Sequence, residues 1–433
     1  MVESNLKKLF TVNVWANLLR LVNLQNNSEI ETVEAIRSFD KIFRRWSSCR
    51  GGLQQTLDKP INIKFHIYNW FFRFNVFIII SRFIVFILID NYYCDLCLAN
   101  PFGETKGAKK NALMLCIIFI SMFLYGFRDY PLQLEETGRM KVIRILYLLE
   151  KRGFNAEILN MSNLRCEQFR KWCDTILVGI FFAIITLQMI ALFFLIYLRI
   201  SLVYSNGSQF IIPRTLLHYI FHLIFIIIEI FTFFVFVINA MCTSAYILVI
   251  LTFFILRLNT LIDLIKRLSL KSSLNNSILS ELNYRLIEVL NDFGQWNGDS
   301  KYLFQYAIIA SSAIANFFCF VGFLYDLEPD ATTMSISIVG IFVHILVSIG
   351  CYLGAEFHYE SIKMRKLFCN LYCKLTKNAT TQVRLKSMEI VDRLDSRCIG
   401  AHVGDFGILY RSTCIIVLLE NASFIMLLSC NVR

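Results

Sequence analysis

The 433-residue chain contains few prolines and few charged side chains. It has five prolines, and 17% of its residues are Asp, Glu, Lys or Arg. Because proline interrupts helices and charged residues cover the surface of soluble domains, this scarcity argues against a set of soluble domains and permits long apolar helices. The hydrophobic fraction is 56%, whereas soluble domains are about 45–50% apolar. The composition therefore predicts an integral membrane protein.

The sequence also lacks the pattern of a signal peptide, a metal-binding motif and a nucleic-acid-binding stretch. The first twenty residues contain no apolar run of about 7–15 residues, so we expect no cleavable signal peptide. The 14 cysteines and six histidines nowhere take metal-site spacing, so we expect no metal and no cofactor. The net charge of +11 is not gathered in a basic stretch with interleaved aromatic residues, which argues against nucleic-acid binding.

Seven apolar runs are candidates for membrane-spanning helices. A span needs about 20 mostly apolar residues. The fourth run, 216–256, is about twice as long, so it is either two spans with a turn near 239–244 or one helix that extends beyond the bilayer. The seven runs are 70–89, 112–127, 176–198, 216–256, 302–324, 334–354 and 412–428.

The distribution of Lys and Arg between the runs decides between these alternatives. With seven spans, one side of the membrane holds 35 of these residues and the other holds 6. If the fourth run is divided into two spans, the counts become 20 and 21 and the bias vanishes. Because cytoplasmic loops are enriched in Lys and Arg, we predict one long fourth helix, a cytoplasmic N-terminus and an extracellular C-terminus.

The segments on the positive side also have helical patterns. In 257–268, four apolar residues recur at helical spacing: Leu258, Leu261, Ile262 and Ile265. Similar stripes are predicted in 280–297 (Leu282, Leu286, Leu290) and 380–396 (Leu385, Met388, Ile390, Val391, Leu394). We expect the inner ends of helices four to seven to form a cytoplasmic helical layer, with stripes packed against each other or against neighbouring subunits.

The predicted fold class is therefore all-α. Its organisation along the chain is a cytoplasmic N-terminal region (1–69), transmembrane helices 1–4 (70–256), a cytoplasmic helical extension (257–301), transmembrane helices 5 and 6 (302–354), a cytoplasmic helical segment (355–411), transmembrane helix 7 (412–428) and an extracellular tail (429–433).

Local sequence adds a family resemblance to this layout. The stretch LIEVLNDFGQWNGDSKYLFQYAIIASSAIANFFCFVGFLYDLE (286–328) resembles the fifth span of insect gustatory receptors and the approach to it. VGDFGILYRST (403–413) resembles their lead-in to the last span. Their signature is Thr-Tyr, five apolar residues and Gln-Phe. Here 422–430 reads Ala-Ser, five apolar residues and Ser-Cys, so the chain resembles a divergent member of this seven-transmembrane insect chemoreceptor family.

The resemblance implies a ligand-gated cation channel at the plasma membrane of chemosensory neurons. It implies a homo- or heterotetramer with other gustatory receptors, a central pore lined by the last spans, and a tastant or similar small molecule that enters from outside. The signature places a hydrophobic gate at Met426 and the outer constriction at Ser429. Ala422 is four residues before Met426, so all three residues share one helix face.

Two charged residues fall inside the predicted spans. Arg82 and Glu420 lie at similar distances from the outer ends of their spans, and a charge in the bilayer usually has a partner. We therefore predict an Arg82–Glu420 pair. The alternative is a protonated Glu420, or one bonded to Asn421 and neighbouring hydroxyls. Glu229 and His344 are predicted to be buried structural polar residues.

Polar residues near the outer halves of spans three to five are candidates for a ligand pocket, because such pockets combine apolar walls with a few polar groups. The outer loop after the third span also contains Asn206-Gly-Ser, an acceptor sequence for glycosylation. The pocket candidates are Gln188, Tyr197, His218, His222, Asn316 and Tyr325.

Several alternatives remain open at this point. The chain could be a receptor-like relative or a co-receptor subunit with altered or no channel activity. A multi-pass transporter would be expected to show inverted repeats and helices broken by Gly or Pro, and no proline interrupts a span here. A membrane enzyme would need acidic and histidine clusters at span ends, which do not converge by spacing. A G-protein-coupled receptor would have the opposite orientation.

Overall fold

The computed structural model describes ten α-helices and no β-strand in the residues that it covers. These residues are 28–46, 48–54, 63–89, 94, 98, 100, 108–205, 215–270, 276–323, 331–375, 380–395 and 399–432. The helices are α1 (Glu29–Arg45), α2 (Ile63–Leu88), α3 (Ala108–Glu136), α4 (Lys141–Arg152), α5 (Asn163–Ser205), α6 (Thr215–Ser269), α7 (Asn276–Phe323), α8 (Ala331–Leu375), α9 (Thr381–Asp395) and α10 (Arg411–Val432).

The seven apolar runs correspond in order to seven long helices: α2, α3, α5, α6, α7, α8 and α10. Within the described residues, five stretches are long and apolar enough to cross a membrane by length and composition. They are Phe65–Leu88, Asn163–Ile190, Ile220–Ser269, Asn276–Phe320 and Ser337–Lys374. The all-α prediction is confirmed.

The fourth apolar run forms one unbroken helix, as the charge distribution predicted. α6 has 55 residues and contains neither Gly nor Pro. The polar side chains at the suspected turn bond to their own helix. Asn239 Nδ2 donates to the Val235 carbonyl at 2.8 Å, and Ser244 Oγ donates to the Ala240 carbonyl at 2.8 Å. Because there is no helix breaker and these polar groups form hydrogen bonds within the helix, α6 continues through 239–244 without a turn.

The helices continue beyond the apolar runs and pack into a separate layer. The predicted stripe on α6 is buried, with Leu258, Leu261, Ile262 and Ile265 at most 3% exposed. It joins the same core as residues from α7 and α9. Asn283 of α7 connects to α9, because its Nδ2 donates to Ser387 Oγ at 2.9 Å.

One part of the predicted stripe on α9 is wrong. α9 buries Val383, Ile390 and Leu394, whereas Leu385 and Met388 are 63% and 52% exposed. α9 packs against α7 and α8, and its five apolar residues are spread too widely around the helix for all of them to face these two neighbours. Within the described residues, α9 therefore has an apolar surface that no other helix covers.

The N-terminal region is attached to the end of α3, chiefly by the Glu135 carboxylate, with an Arg50–Glu136 ion pair beside it. Glu135 accepts backbone N–H groups from Arg50, Gly51 and Gly52 at 2.7, 2.9 and 2.9 Å. Gly52 has a φ of 56°, which suits glycine. The pKa of Glu135 is raised because burial outweighs these hydrogen bonds. This attachment holds the segment that follows α1 in place.

Candidate functional site

The segment between α9 and α10 is docked on α7. The Asn297 Oδ1 accepts the backbone N–H of His402 at 2.9 Å, and the Lys301 carbonyl accepts the N–H of Gly404 at 2.8 Å. Lys301 Nζ lies 2.7 Å from an oxygen of Asp405, and this hydrogen bond lowers the pKa of the Asp405 carboxyl. Gly404 has a φ of 55°, and an added Cβ would lie 1.9 Å from Gln305 Oε1. The approach to α10 is therefore closely fixed.

The first turn of α10 is held by α8. Arg411 Nη2 lies 2.7 Å from Glu356 Oε2, and the guanidinium carbon lies 3.6 Å from the centre of the Tyr359 ring. Leu409 packs so closely on Gly354 of α8 that an added Cβ there would lie 2.6 Å from Leu409 Cδ1. α10 thus starts from a position set by α8.

A second attachment lies at mid-length of α10. Asn316 Nδ2 on α7 donates to Asn421 Oδ1 at 2.7 Å. Asn421 Nδ2 donates to the Val417 carbonyl at 2.8 Å and to Ser312 Oγ at 3.4 Å. Asn316 is 6% exposed. The three side chains form a small polar junction between α7 and α10 inside otherwise apolar helices.

α10 is covered on one side only. Among its described side chains none is fully buried. Ala422 and Met426 lie on the same exposed face, and Met426 is 68% exposed. The side chain of Ser429 lies outside the described residues. The half-buried side chains that form the covered stripe are Thr413, Cys414, Val417, Asn421 and Ile425.

The predicted Arg82–Glu420 pair is wrong. The Arg82 guanidinium on α2 forms an ion pair with Glu229 on α6 and lies 4.7 Å from the centre of the Phe225 ring. Arg82 is 3% exposed. Glu420 lies on another exposed face of α10, in a shallow concavity lined also by Leu419 and by four other residues of α10. Similar depth in the membrane did not identify the partner, because α2 packs on α3 and α6, and the carboxylate that meets Arg82 is on α6.

The ligand-pocket candidates are spread over three helices. Gln188 is half-buried on α5, and His222 is buried on α6. Asn316 bonds to α10, as described above. Tyr197 and His218 lie in α5 and α6, but their side chains are outside the described residues, as are Tyr325 and Asn206 altogether. The pocket assignment stays a prediction.

Sequence reasoning missed the Asn316–Asn421 bond, although both residues were visible in the sequence. Asn421 follows Glu420 near the middle of the seventh span, and Asn316 lies near the middle of the fifth. The comparison of depths that gave the wrong partner for Arg82 would have matched this pair. The Arg411–Glu356 pair had no comparable signal, because it joins the start of α10 to the interior of α8, and the sequence does not give which helices are neighbours.

Comparison with solved structures shows which fold this is. The insect olfactory receptor OR5 from Machilis hrabei in complex with eugenol superposes with a TM-score of 0.62 at 13% identity, over 94% of this chain and 100% of that chain. A second structure of the same receptor gives a TM-score of 0.63 at 12% identity, over 93% and 99%. No protein-family model and no curated protein matches the sequence.

The chain is therefore an all-helical protein with the fold of insect olfactory receptors. This confirms, at the level of the fold, the predicted resemblance to the seven-transmembrane insect chemoreceptors.

Proposed function

We propose that the chain is a chemoreceptor subunit of a cation channel that opens when a small organic molecule binds from outside. The observation that carries this proposal is α10, an apolar helix that its own chain covers on one side only, in a protein with an insect olfactory receptor fold. We further propose the gustatory type, with a tastant or similar compound as the ligand, at the plasma membrane of chemosensory neurons.

The exposed face of α10 fits a pore. Ala422 and Met426 point away from α7 and α8, and Ser429 follows on the same side of the helix. In a symmetric assembly, thioethers of Met426 from several copies would form a narrow apolar ring, which can close a pore by excluding water. Hydroxyls of Ser429 would lie one turn further out.

The exposed apolar residues beyond the membrane runs support an assembly. Leu385, Met388 and Tyr284 are 63%, 52% and 70% exposed on α9 and α7, in the layer that we place in the cytoplasm. Clustered apolar residues on a surface in water commonly mark an interface. We propose that they contact neighbouring copies in a homo- or heterotetramer with other gustatory receptors.

The ligand is proposed by its chemical class. The olfactory receptor with the same fold was solved with eugenol, a small organic compound. We propose that a similar compound binds among α3, α5, α6, α7 and α8, the position that the family resemblance implies, with Gln188 and His222 as candidate polar contacts.

Current recording tests this proposal. The chain is expressed in cultured cells, and currents are measured while a panel of tastants and odorants, eugenol included, is applied. We expect at least one compound to evoke a cation current. We also expect Met426→Ala to raise the current without ligand, because it widens the apolar ring.

Phe424→Ala is the matched control, since Phe424 is exposed on a face of α10 nearly opposite to that of Met426 and should leave the basal current unchanged. Surface labelling confirms delivery to the membrane. A chain that reaches the surface but conducts with no compound, alone or together with other receptors, would contradict the channel proposal.

A further inference from the structure

The polar junction between α7 and α10 is placed so that it could act as a latch, a contact that holds α10 in one position against α7. Asn316 and Asn421 bond to each other inside helices whose other neighbouring residues are largely apolar. In an apolar medium there is little hydrophobic drive between helices, so packing and hydrogen bonds decide how one helix sits on another. The bond therefore contributes directly to the position of α10.

Among the described residues, α10 has few other polar contacts above its base. Arg411 holds its first turn to α8, and Cys414 Sγ approaches the Ser348 carbonyl at 3.5 Å. From there to Ile425 the described side chains are only half-buried or exposed. The bonds of Asn421 to Asn316 and Ser312 are thus the polar contacts that fix the middle of this helix.

The pairing is also specific to one arrangement of the two helices. Asn421 uses Oδ1 for Asn316 and Nδ2 for Val417 and Ser312. The Oδ1 of Asn316 is buried and has no hydrogen-bond partner within the described residues. A rotation or shift of α10 relative to α7 would break the Asn316–Asn421 bond, and α7 would then hold a buried amide with no partner at either end.

We propose that Asn421, acting through Asn316, is a positioning residue that holds α10 against α7 in the closed channel. This inference rests on the proposed channel function, in which the last helices move apart when the pore opens. Because the Asn316–Asn421 bond forms only in the closed position of α10, it stabilises the closed channel. Loss of the bond should therefore favour opening.

The test is a double-mutant cycle on channel opening. Asn421→Leu and Asn316→Leu each remove the bond and retain an apolar side chain of similar size. We expect each to increase the basal open probability and to lower the ligand concentration for half-maximal current, by about threefold for each copy that carries the change, the size typical of a side-chain hydrogen bond in a membrane. The double variant should match either single variant rather than multiply their effects.

Ser423→Ala is the control, because Ser423 is an exposed polar residue of α10 outside the junction and should leave gating unchanged. Currents are normalised to surface protein, and Asn421→Ala replaces Asn421→Leu if the larger side chain prevents delivery to the surface. If the wild type conducts but the single variants gate normally, or if the double variant multiplies their effects, the latch is overturned. The channel function would then still stand. Absence of current from the wild type as well would overturn both.

Discussion

At the residue scale, Arg82 shows how a charged side chain is accommodated in an apolar helix. Its guanidinium pairs with Glu229 and lies against the rings of Phe83 and Phe225, at 5.1 and 4.7 Å from their centres. Insertion of an unpaired arginine at the centre of a bilayer costs about 2.5–3.5 kcal/mol on translocon scales. The ion pair and the aromatic contacts offset that cost and join α2 to α6.

Removal of the cation from this pair should destabilise the protein strongly. Arg82→Leu removes the cation that pairs with the largely buried Glu229 carboxylate, and we expect a loss of about 3–5 kcal/mol in stability. Heat-induced loss of the folded peak in size-exclusion chromatography of the detergent-solubilised protein measures this effect.

Arg73→Leu is the matched control on the same helix. Arg73 pairs with Asp129 at 2.9 Å, but its side chain is 49% exposed, so we expect a change below about 1 kcal/mol. The double replacement Arg82→Leu with Glu229→Leu should recover most of the loss. Equal losses for Arg82→Leu and Arg73→Leu would contradict the buried pairing.

At the scale of the elements, α7 and α8 come into close contact at a glycine. A Cβ on Gly340 would lie 2.8 Å from the Ala315 carbonyl oxygen and 2.7 Å from Cys319 Sγ. The carbonyl belongs to the α7 backbone and cannot move independently of its helix. Close helix packing at small residues is common in membranes, since it brings backbones together.

Gly340→Ala should force α7 and α8 apart. Overpacking of this kind costs about 1–3 kcal/mol, and the thermal stability of the detergent-solubilised protein should fall accordingly. Gly350→Ala on the same helix is the control, because nothing lies within 4 Å of its added Cβ. Alanine is the better helix former by about 0.5–1 kcal/mol, so Gly350→Ala should be neutral or stabilising. A similar fall for both variants would show that the two helices do not touch at Gly340.

At the scale of the whole molecule, the orientation in the membrane follows from charge. The Lys and Arg residues gather in the predicted cytoplasmic segments, which predicts that the loop after α5 lies outside the cell. Asn206 is an acceptor in that loop. Asn160 is also in an acceptor triplet, but it precedes α5, and its Nδ2 donates to Glu288 of α7 at 3.1 Å.

Glycosylation therefore reports the orientation. We expect treatment with an endoglycosidase to reduce the apparent mass of the wild type on gels, and Asn206→Gln to abolish this change. Asn160→Gln should leave the change intact. Glycosylation that depends on Asn160 instead would show that the chain is inserted the other way round.

The positions of the long helices were predictable from the sequence. On the predicted outer side, most helix ends lie within a few residues of the ends of the apolar runs. The long α6 followed from the absence of Gly and Pro and from the charge bias, and the buried stripe from Leu258 to Ile265 followed from its spacing. These are local properties, because hydrophobic period and helix breakers act along a single element. The exposed face of α9 was not predictable, since the spacing of Leu385 and Met388 gives a stripe but not its neighbour.

The sequence by itself determined the number of long helices, their order and the extension of α6 beyond the apolar run, because burial in an apolar medium requires continuous apolar helices. Only the tertiary structure decided which polar groups meet. Arg82 pairs with Glu229 rather than Glu420, and Asn316 forms a hydrogen bond with Asn421. The physical reason is that depth along a span fixes one coordinate of a side chain, whereas its partner also depends on the rotation of the helix and on which helix lies beside it.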